Sequence, residues 1–345
     1  RQPNPEPQPA VALGRPAIAI AAGDYHSCAV LDDGSVRCWG YNYYGELGSA
    51  DPSQNSDPNP APRPAVGLGA GRTAVAIAAG DHYTCAILDQ GSVRCWGVNE
   101  FAQLGSAANN ETQDANPDPQ PAVALGRPAV AVATGDYHSC ALLDDGSVRC
   151  WGDNYYGELG STRGNGTETP YPVPEPAVAL GRPAIGISIG EGYSCALLDD
   201  GAVRCWGVNA SGELGDPATS GSSDDAHPVP RPAVALGRDA AAITAGESHT
   251  CAVLDDGAVR CWGGNGDGQL GSSPTNDPVP TPEPRVGLDR AMTATAITAG
   301  GRHSCALLGG AVRCWGVNDH GQLGSGTNIG TADPNPSPEP PVALG

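Results

Sequence analysis

The sequence predicts an all-β chain: a β-propeller of six four-stranded blades with one cross-strand disulfide in each. Three observations lead there. A run with a cysteine on each arm, His26-Ser-Cys-Ala-Val-Leu-Asp-Asp-Gly-Ser-Val-Arg-Cys-Trp-Gly40, recurs along the chain, its first cysteines at 28, 85, 140, 195, 251 and 305. That period, about 55 residues, marks a repeat architecture rather than independent domains. Helical periodicity is absent, and each repeat offers four short apolar segments bounded by Gly, Pro, Asn and Asp.

The elements follow in a fixed order. Arg1–Pro9 is Pro-rich and extended. Strand A is small and apolar (Ala17–Gly23, Ala74–Gly80, Ala129–Gly135, Ala240–Gly246), which suits an innermost position where blades converge. Strands B and C are the two cysteine-bearing arms. Strand D is the segment Pro-Ala-Val-Ala-Leu-Gly after a Pro-spaced linker such as Ser49–Pro64. The whole chain, 1–345, reads as a single repeat domain. Its repeat cores are about 10–48, 65–105, 122–160, 177–215, 233–271 and 285–324, and 325–345 is a linker plus a terminal strand.

The hairpin register fixes the cysteine pairing. A three-residue Asp-Asp-Gly loop sets Cys28 opposite Cys38, whereas a two-residue loop would put the sulfurs on opposite faces. The last copy, Cys305-Ala-Leu-Leu-Gly-Gly-Ala-Val-Arg-Cys314, is one residue shorter. Gly309-Gly310 suits a two-residue primed turn, which again sets the cysteines face to face. Six disulfides are therefore expected: Cys28–Cys38, Cys85–Cys95, Cys140–Cys150, Cys195–Cys205, Cys251–Cys261 and Cys305–Cys314. The intervening Arg (37, 94, 149, 204, 260, 313) is expected to pair with an acidic neighbour or with carbonyls between blades.

Composition excludes several function classes. The net charge is −20, and all 18 basic residues are arginine. Such a chain repels phosphate backbones and anionic lipid surfaces, so nucleic acid is not an expected partner. No apolar run approaches the roughly 20 residues of a membrane helix, so no membrane insertion is expected. Arg1 opens a segment without an initiator Met or a signal-peptide pattern, which reads as a processed or trimmed form. Twelve cysteines in six local pairs point to an oxidising compartment, secreted or at the cell surface.

The run Ala-Gly-x-x-His-Ser-x-Ala-Leu-x-x-x-Gly-x-Val-x-x-Trp-Gly-x-Asn-x-x-Gly-x-Leu-Gly resembles the regulator-of-chromosome-condensation repeat. It stands here as Ala22–Gly48, Ala79–Gly105, Thr134–Gly160, Ile189–Gly215, Ala245–Gly271 and Ala299–Gly324. The resemblance implies a β-propeller, usually of seven blades, with roughly one repeat per blade. It implies less about function, because the family spans a chromatin-bound nucleotide-exchange factor, a secreted β-lactamase inhibitor and many bacterial surface proteins. A cysteine pair in every blade and the absence of Lys look like the secreted bacterial members.

Six hairpins stand against seven copies of the Val-Ala-Leu segment, so a seven-bladed or open ring is the alternative to six closed blades. A spare strand at either end, carried by Val11 and Leu13 or by Val342 and Leu344, would offer unpaired backbone to a second copy and build a head-to-tail filament.

Two loop sets share one end of each blade: the loop after strand A (Asp24-Tyr-His and its copies) and the loop after Trp-Gly (Tyr41-Asn-Tyr-Tyr and its copies). Tyr25, Tyr43, Tyr44, Tyr83, Phe101, Tyr137, Tyr155, Tyr156 and Tyr193 make this end the expected binding rim, since tyrosine supplies rigid amphipathic contact area. The recurring His and the Asn after Trp-Gly are read as fold residues. Sequons at Asn110, Asn165 and Asn209 offer glycan acceptors.

No G-x-S-x-G elbow, H-E-x-x-H pair or Walker loop occurs, so no catalytic, metal or cofactor residue is assigned. The expected function is a secreted or cell-surface non-catalytic propeller that binds protein or glycan or serves as a structural module. A self-assembling filament subunit is the alternative, and an enzyme with a channel-mouth site a weaker one.

Overall fold

The computed structural model describes residues 10–49, 61–109, 114–166, 170–220, 227–288, 293–329, 331, 335 and 337–342. Among the described residues nineteen strands form six antiparallel sheets, and the chain divides into two compact units, Ala10–Pro183 and Ala184–Gly345. In the first unit the sheets are β1 (Ala17–Ala22), β2 (His26–Leu31) and β3 (Val36–Gly40); β4 (Ala74–Ala79), β5 (Tyr83–Leu88) and β6 (Val93–Gly97); and β7 (Ala129–Thr134), β8 (His138–Leu143) and β9 (Val148–Gly152). In the second they are β10 (Ala184–Gly190), β11 (Tyr193–Leu198) and β12 (Val203–Gly207); β13 (Ala240–Ala245), β14 (His249–Leu254), β15 (Val259–Asn265) and β16 (Thr275–Val279); and β17 (Ala294–Ala299), β18 (His303–Leu308) and β19 (Ala311–Gly316). We number these sheets blades 1 to 6.

The hairpin register is the one the two loop lengths require. Cys28 faces Cys38 and Val30 faces Val36, while in the last blade Cys305 faces Cys314 and Leu308 faces Ala311. Gly34 takes φ +76° at the end of the three-residue loop, and Gly309 and Gly310 take +56° and +88° in the two-residue loop, as a primed turn demands. All six expected disulfides are present. Each first strand carries a bulge at its start, between Ala17 and Ala19 in blade 1 and between Ala74 and Ala76 in blade 2.

The core lies between successive blades of a unit. Cys28, Val30, Val36 and Cys38 of blade 1, with Leu47, Val66 and Leu68, pack against Ala74, Ala86, Leu88 and Trp96 of blade 2. The same set recurs between blades 2 and 3, 4 and 5, and 5 and 6. The two faces of strand C thus do different jobs, since the Cys/Val face meets the next blade and the Trp face the previous one.

Strand D departs from expectation. Among the described residues the Val-x-Leu segments form no strand, and five sheets have three strands. The reason is a recurring Pro-x-Pro. Proline has no N–H, so only the middle residue can donate to strand C. Arg63, Gln120, Glu175, Arg231, Glu283 and Glu339 each donate to the carbonyl of the second cysteine of their blade, and the valine three residues on donates once more. The fourth strand of blade 4–6's middle sheet, β16, comes instead from the linker, and single bridges at Asn116, Tyr171, His227 and Asn335 stand in its place elsewhere.

The strand arginines also depart from expectation. The Nε atoms of Arg37, Arg204 and Arg313 are buried without a hydrogen bond. Ion pairs are made instead by Arg15, Arg72, Arg127 and Arg238 with Asp32, Asp89, Asp144 and Asp255, tying each linker to a hairpin turn.

The seven Val-Ala-Leu copies are now distinguishable. Val342 donates to Val312 of its own blade at 2.9 Å, as Val66 does to Val36. The first copy is the unmatched one: Val11 is 42% exposed, whereas Val66, Val123, Val178, Val234 and Val286 are buried, and Leu13 donates only to Val11. Leu344 lies outside the described residues.

Candidate binding surface

The loop end of each blade is built on one repeated frame. In Gly-(Glu/Gln)-Leu-Gly, with Ala102 in place of the first glycine in blade 2, the acidic or amide side chain turns back to accept the N–H two residues earlier: Glu46 from Tyr44, Gln103 from Phe101, Glu158 from Tyr156, Glu213 from Ser211, Gln269 from Asp267 and Gln322 from His320, all at 2.7–2.9 Å. Its main-chain carbonyl then takes two bonds from the next blade. Trp96 Nε1 and Thr84 Oγ1 donate to Glu46, Trp151 and Ser139 to Gln103, Trp262 and Thr250 to Glu213, and Trp315 and Ser304 to Gln269. The asparagine after Trp-Gly braces the same loop, Asn42 accepting from Leu47 and donating to Ser49, with copies in the other five blades. Loops held this way present their outward side chains already ordered.

The third position of the loop after strand A is a staple between blades. His26 Nε2 meets Thr84 Oγ1 at 2.7 Å and His249 Nε2 meets Ser304 Oγ at 2.8 Å. Tyr83 and Tyr193 occupy this same position. The sequence places both on the rim, but the structure buries them fully, their hydroxyls donating to the carbonyls of His138 and His249. Burial pushes His26 down to about 4 and His138 and His249 down to about 3, so these imidazoles are neutral at pH 7.

The other expected rim residues are brought together in Ala10–Pro183. Tyr25 stacks on His82 (5.0 Å, 9°) and leans on Tyr41; Tyr44 packs against His82 at 4.9 Å and against Tyr43. Phe101 meets Tyr137 at 4.7 Å and Tyr155 meets Tyr156. Tyr25 and Tyr43 are about half exposed, and Tyr137 and Tyr155 are also open to solvent. The residue that sequence reasoning missed here is His82, which stands at the second loop position where its neighbours have tyrosine.

Carboxylates lie beneath this arc. Glu46 is wholly buried, and its Oε1 has no hydrogen bond; the nearest cation is His82 Nδ1 at 3.9 Å. Burial works against charge on His82, but Glu46, Asp81 and Asp24 outweigh it and hold the ring above the usual histidine range. Burial, with Asp24 and Glu46 nearby, raises Asp81. Glu158, buried beside Asp153, is pushed well above the usual carboxylate range. Burial raises Glu213 to about 7.

Of the three sequons, Asn209 is fully buried with both side-chain atoms used by its loop, and so closed to glycan; Asn165 is half-buried in a linker; Asn110 lies outside the described residues. No group of three or more His, Cys, Asp or Glu that could hold a metal ion occurs among the described residues.

The repeated frame has known counterparts. Residues 1–284 match the RCC1-like domain, and residues 294–322 match the regulator of chromosome condensation (RCC1) repeat. The chain belongs to the RCC1-like family. It is 28% identical over 331 residues to the ultraviolet-B receptor UVR8 of Arabidopsis thaliana, covering 94% of this chain and 71% of that protein. It is 31% identical over 262 residues to the human E3 ubiquitin-protein ligase HERC2, covering 75% of this chain but only 5% of HERC2. Among solved structures, human WBSCR16 superposes with a TM-score of 0.83 at 22% identity, covering 99% of this chain and 84% of that one. Yeast Prp20p gives 0.78 at 24%, covering 95% and 77%. At these identities the likeness establishes the fold, that of the RCC1 propellers.

Proposed function

We propose that this RCC1-like chain is a non-catalytic protein-binding module whose contact surface is the aromatic loop end of blades 1 to 3. The observation that carries this reading is the arc from Tyr25 to Tyr156. Large aromatic side chains stand exposed on loops whose backbones are pinned from below by buried Asn, Glu and Gln. Such rigid aromatic area is what protein recognition uses. The yeast relative Prp20p, described for its binding to Gsp1p and histones, supports a protein partner over a glycan. Six disulfides, five of them between fully buried cysteines, support folding in an oxidising compartment and hence presentation outside the cell.

The test is to pan a displayed peptide library against the wild-type chain and then against Tyr43→Ala with Tyr155→Ala. Binders that lose the double variant but keep Asp144→Asn with Asp145→Asn, at the opposite end of the blade, bear the proposal out. Binders retained equally by the rim variant overturn it.

A second reading is head-to-tail association through the unmatched first copy, favoured by the exposure of Val11. Concentration-dependent growth in light scattering that Val11→Asp abolishes would support it. A monodisperse species at 34.8 kDa would not.

A further inference from the structure

The rim holds a record of what its slots accept. The second residue of the loop after strand A lies beside the Trp-Gly loop of the previous blade and the Trp-Gly loop of its own. In blade 6 this residue is Arg302, whose guanidinium pairs with Asp267 of blade 5 at 3.3 Å and Asp319 of blade 6 at 3.7 Å. In blade 2 the equivalents are His82, Tyr44 and Glu100. The slot is the same, but the chain supplies only an imidazole where blade 6 supplies a full cation.

The surroundings of His82 leave negative charge over. Glu46 and Asp81 approach its two ring nitrogens at 3.9 and 3.5 Å, and Asp24 acts on both His82 and Asp81. Glu46 is the telling member: a wholly buried carboxylate with one oxygen free of any hydrogen bond, directed at the ring. Two carboxyl groups thus converge on one imidazole, with a buried oxygen of Glu46 left without a partner, and an added cation would answer that acidic excess. Tyr25 stacks on His82 and Tyr43 packs on Tyr44 next to it; both are about half exposed, and tyrosine faces attract ammonium and guanidinium groups. An anion would be repelled here, and a neutral apolar group would leave the carboxylates unused.

Resting on the reading of this end as a protein-binding surface, we infer that the junction of blades 1 and 2 takes a cationic side chain, arginine or lysine, from the partner protein. The guanidinium or ammonium lies against Tyr25 and Tyr43 and is shared by Asp24 and Asp81, with Glu46 supplying field from below. Guanidinium fits this best, because its flat face stacks on tyrosine while its edge donates to two carboxylates.

The probe is a fluorescently labelled octapeptide of alternating glycine and arginine, compared by anisotropy with its citrulline counterpart, which has the same shape without the charge. The expected result is at least tenfold weaker binding of the citrulline peptide. Tyr25→Ala with Tyr43→Ala should weaken the arginine peptide at least fivefold. Asp144→Asn with Asp145→Asn, removing two charges at the far end, should change it less than twofold. Both double variants should keep the wild-type melting temperature within a few degrees, since the replaced side chains are exposed. Equal binding of the two peptides, or equal loss at the two ends of the blade, would overturn the inference by reducing it to bulk acidity. Rim-dependent library binders that lack basic residues would also overturn it while leaving the binding surface itself intact.

Discussion

Glu213→Gln should stabilise the protein at neutral and alkaline pH and change little in acid. Glu213 is buried at a position where blades 2, 5 and 6 already carry glutamine (Gln103, Gln269, Gln322), and all six side chains accept the same backbone N–H. The amide can therefore replace the carboxylate without losing that bond. Burial raises the carboxyl to about 7, against the N–H groups of Ser211, Gly212 and Glu213 that work to lower it; its unfolded value is 4.5. Between those values the folded state keeps the proton and the unfolded state releases it. Stability therefore falls as pH rises from 4.5 to 7 and is level above that window. The full penalty is about 3 kcal/mol, of which the variant should recover about 1–3 kcal/mol at pH 8, depending on how well the amide nitrogen is met.

The assay is urea unfolding with disulfides intact at pH 4 and pH 8. The quantity to read is the difference between variant and wild type, because the buried histidines act with the opposite sign. His26, His138 and His249 take up protons on unfolding near 6.5 but in the fold only near 3–4, so their contribution is lost as pH falls through that range. A variant less stable than wild type by the same amount at both pH values would refute the reasoning, since it would make the carboxylate a better buried acceptor than the amide.

Other outcomes follow from the same frame. Cys85→Ala with Cys95→Ala should lower stability by about 2–3 kcal/mol in urea unfolding, the chain-entropy value for so short a loop. Because both cysteines are wholly buried, the native disulfide should resist mild reductant until the protein unfolds. Tyr83→Phe removes a hydroxyl that donates to His138 and contacts Ser139, and should lose about 1–2 kcal/mol without weakening peptide binding. Trp151→Phe deletes one of two donors to the Gln103 carbonyl and leaves a cavity in the core between blades 2 and 3, and should lose about 2–3 kcal/mol by the same measurement, while Ser139 keeps that carbonyl satisfied.

Much of this was legible in the chain, and the failures have physical causes. Two loop lengths with different turn glycines admit one common cysteine register, so the hairpins and disulfides follow from residue chemistry alone. The Val-Ala-Leu segments look like strands by composition, but the Pro-x-Pro before each leaves one donor where a ladder needs several. Tyr83 and Tyr193 share a residue type with Tyr25 yet not its position. Laid over the other repeats they fall in the histidine column (His26, His138, His249, His303), and that column was the signal that they are staples. Asn209 is likewise marked by its place after Trp-Gly-x, where every repeat has an asparagine. Burial of Glu46, Glu158 and Glu213 had a weaker sign, the exchange of Glu with Gln at one position. What composition alone does not reveal is His82 as the centre of the arc, because its role depends on which loops of neighbouring blades come together.

The most direct measurement is hydrogen–deuterium exchange of the chain with and without a rim-selected peptide. Protection is expected over residues 24–26, 41–47, 81–83, 98–104, 136–138 and 153–159, with no change at the hairpin turns 32–34, 89–91 and 144–146. Protection confined to those turns, or spread evenly over both ends, would contradict the assignment of binding to the aromatic loop end.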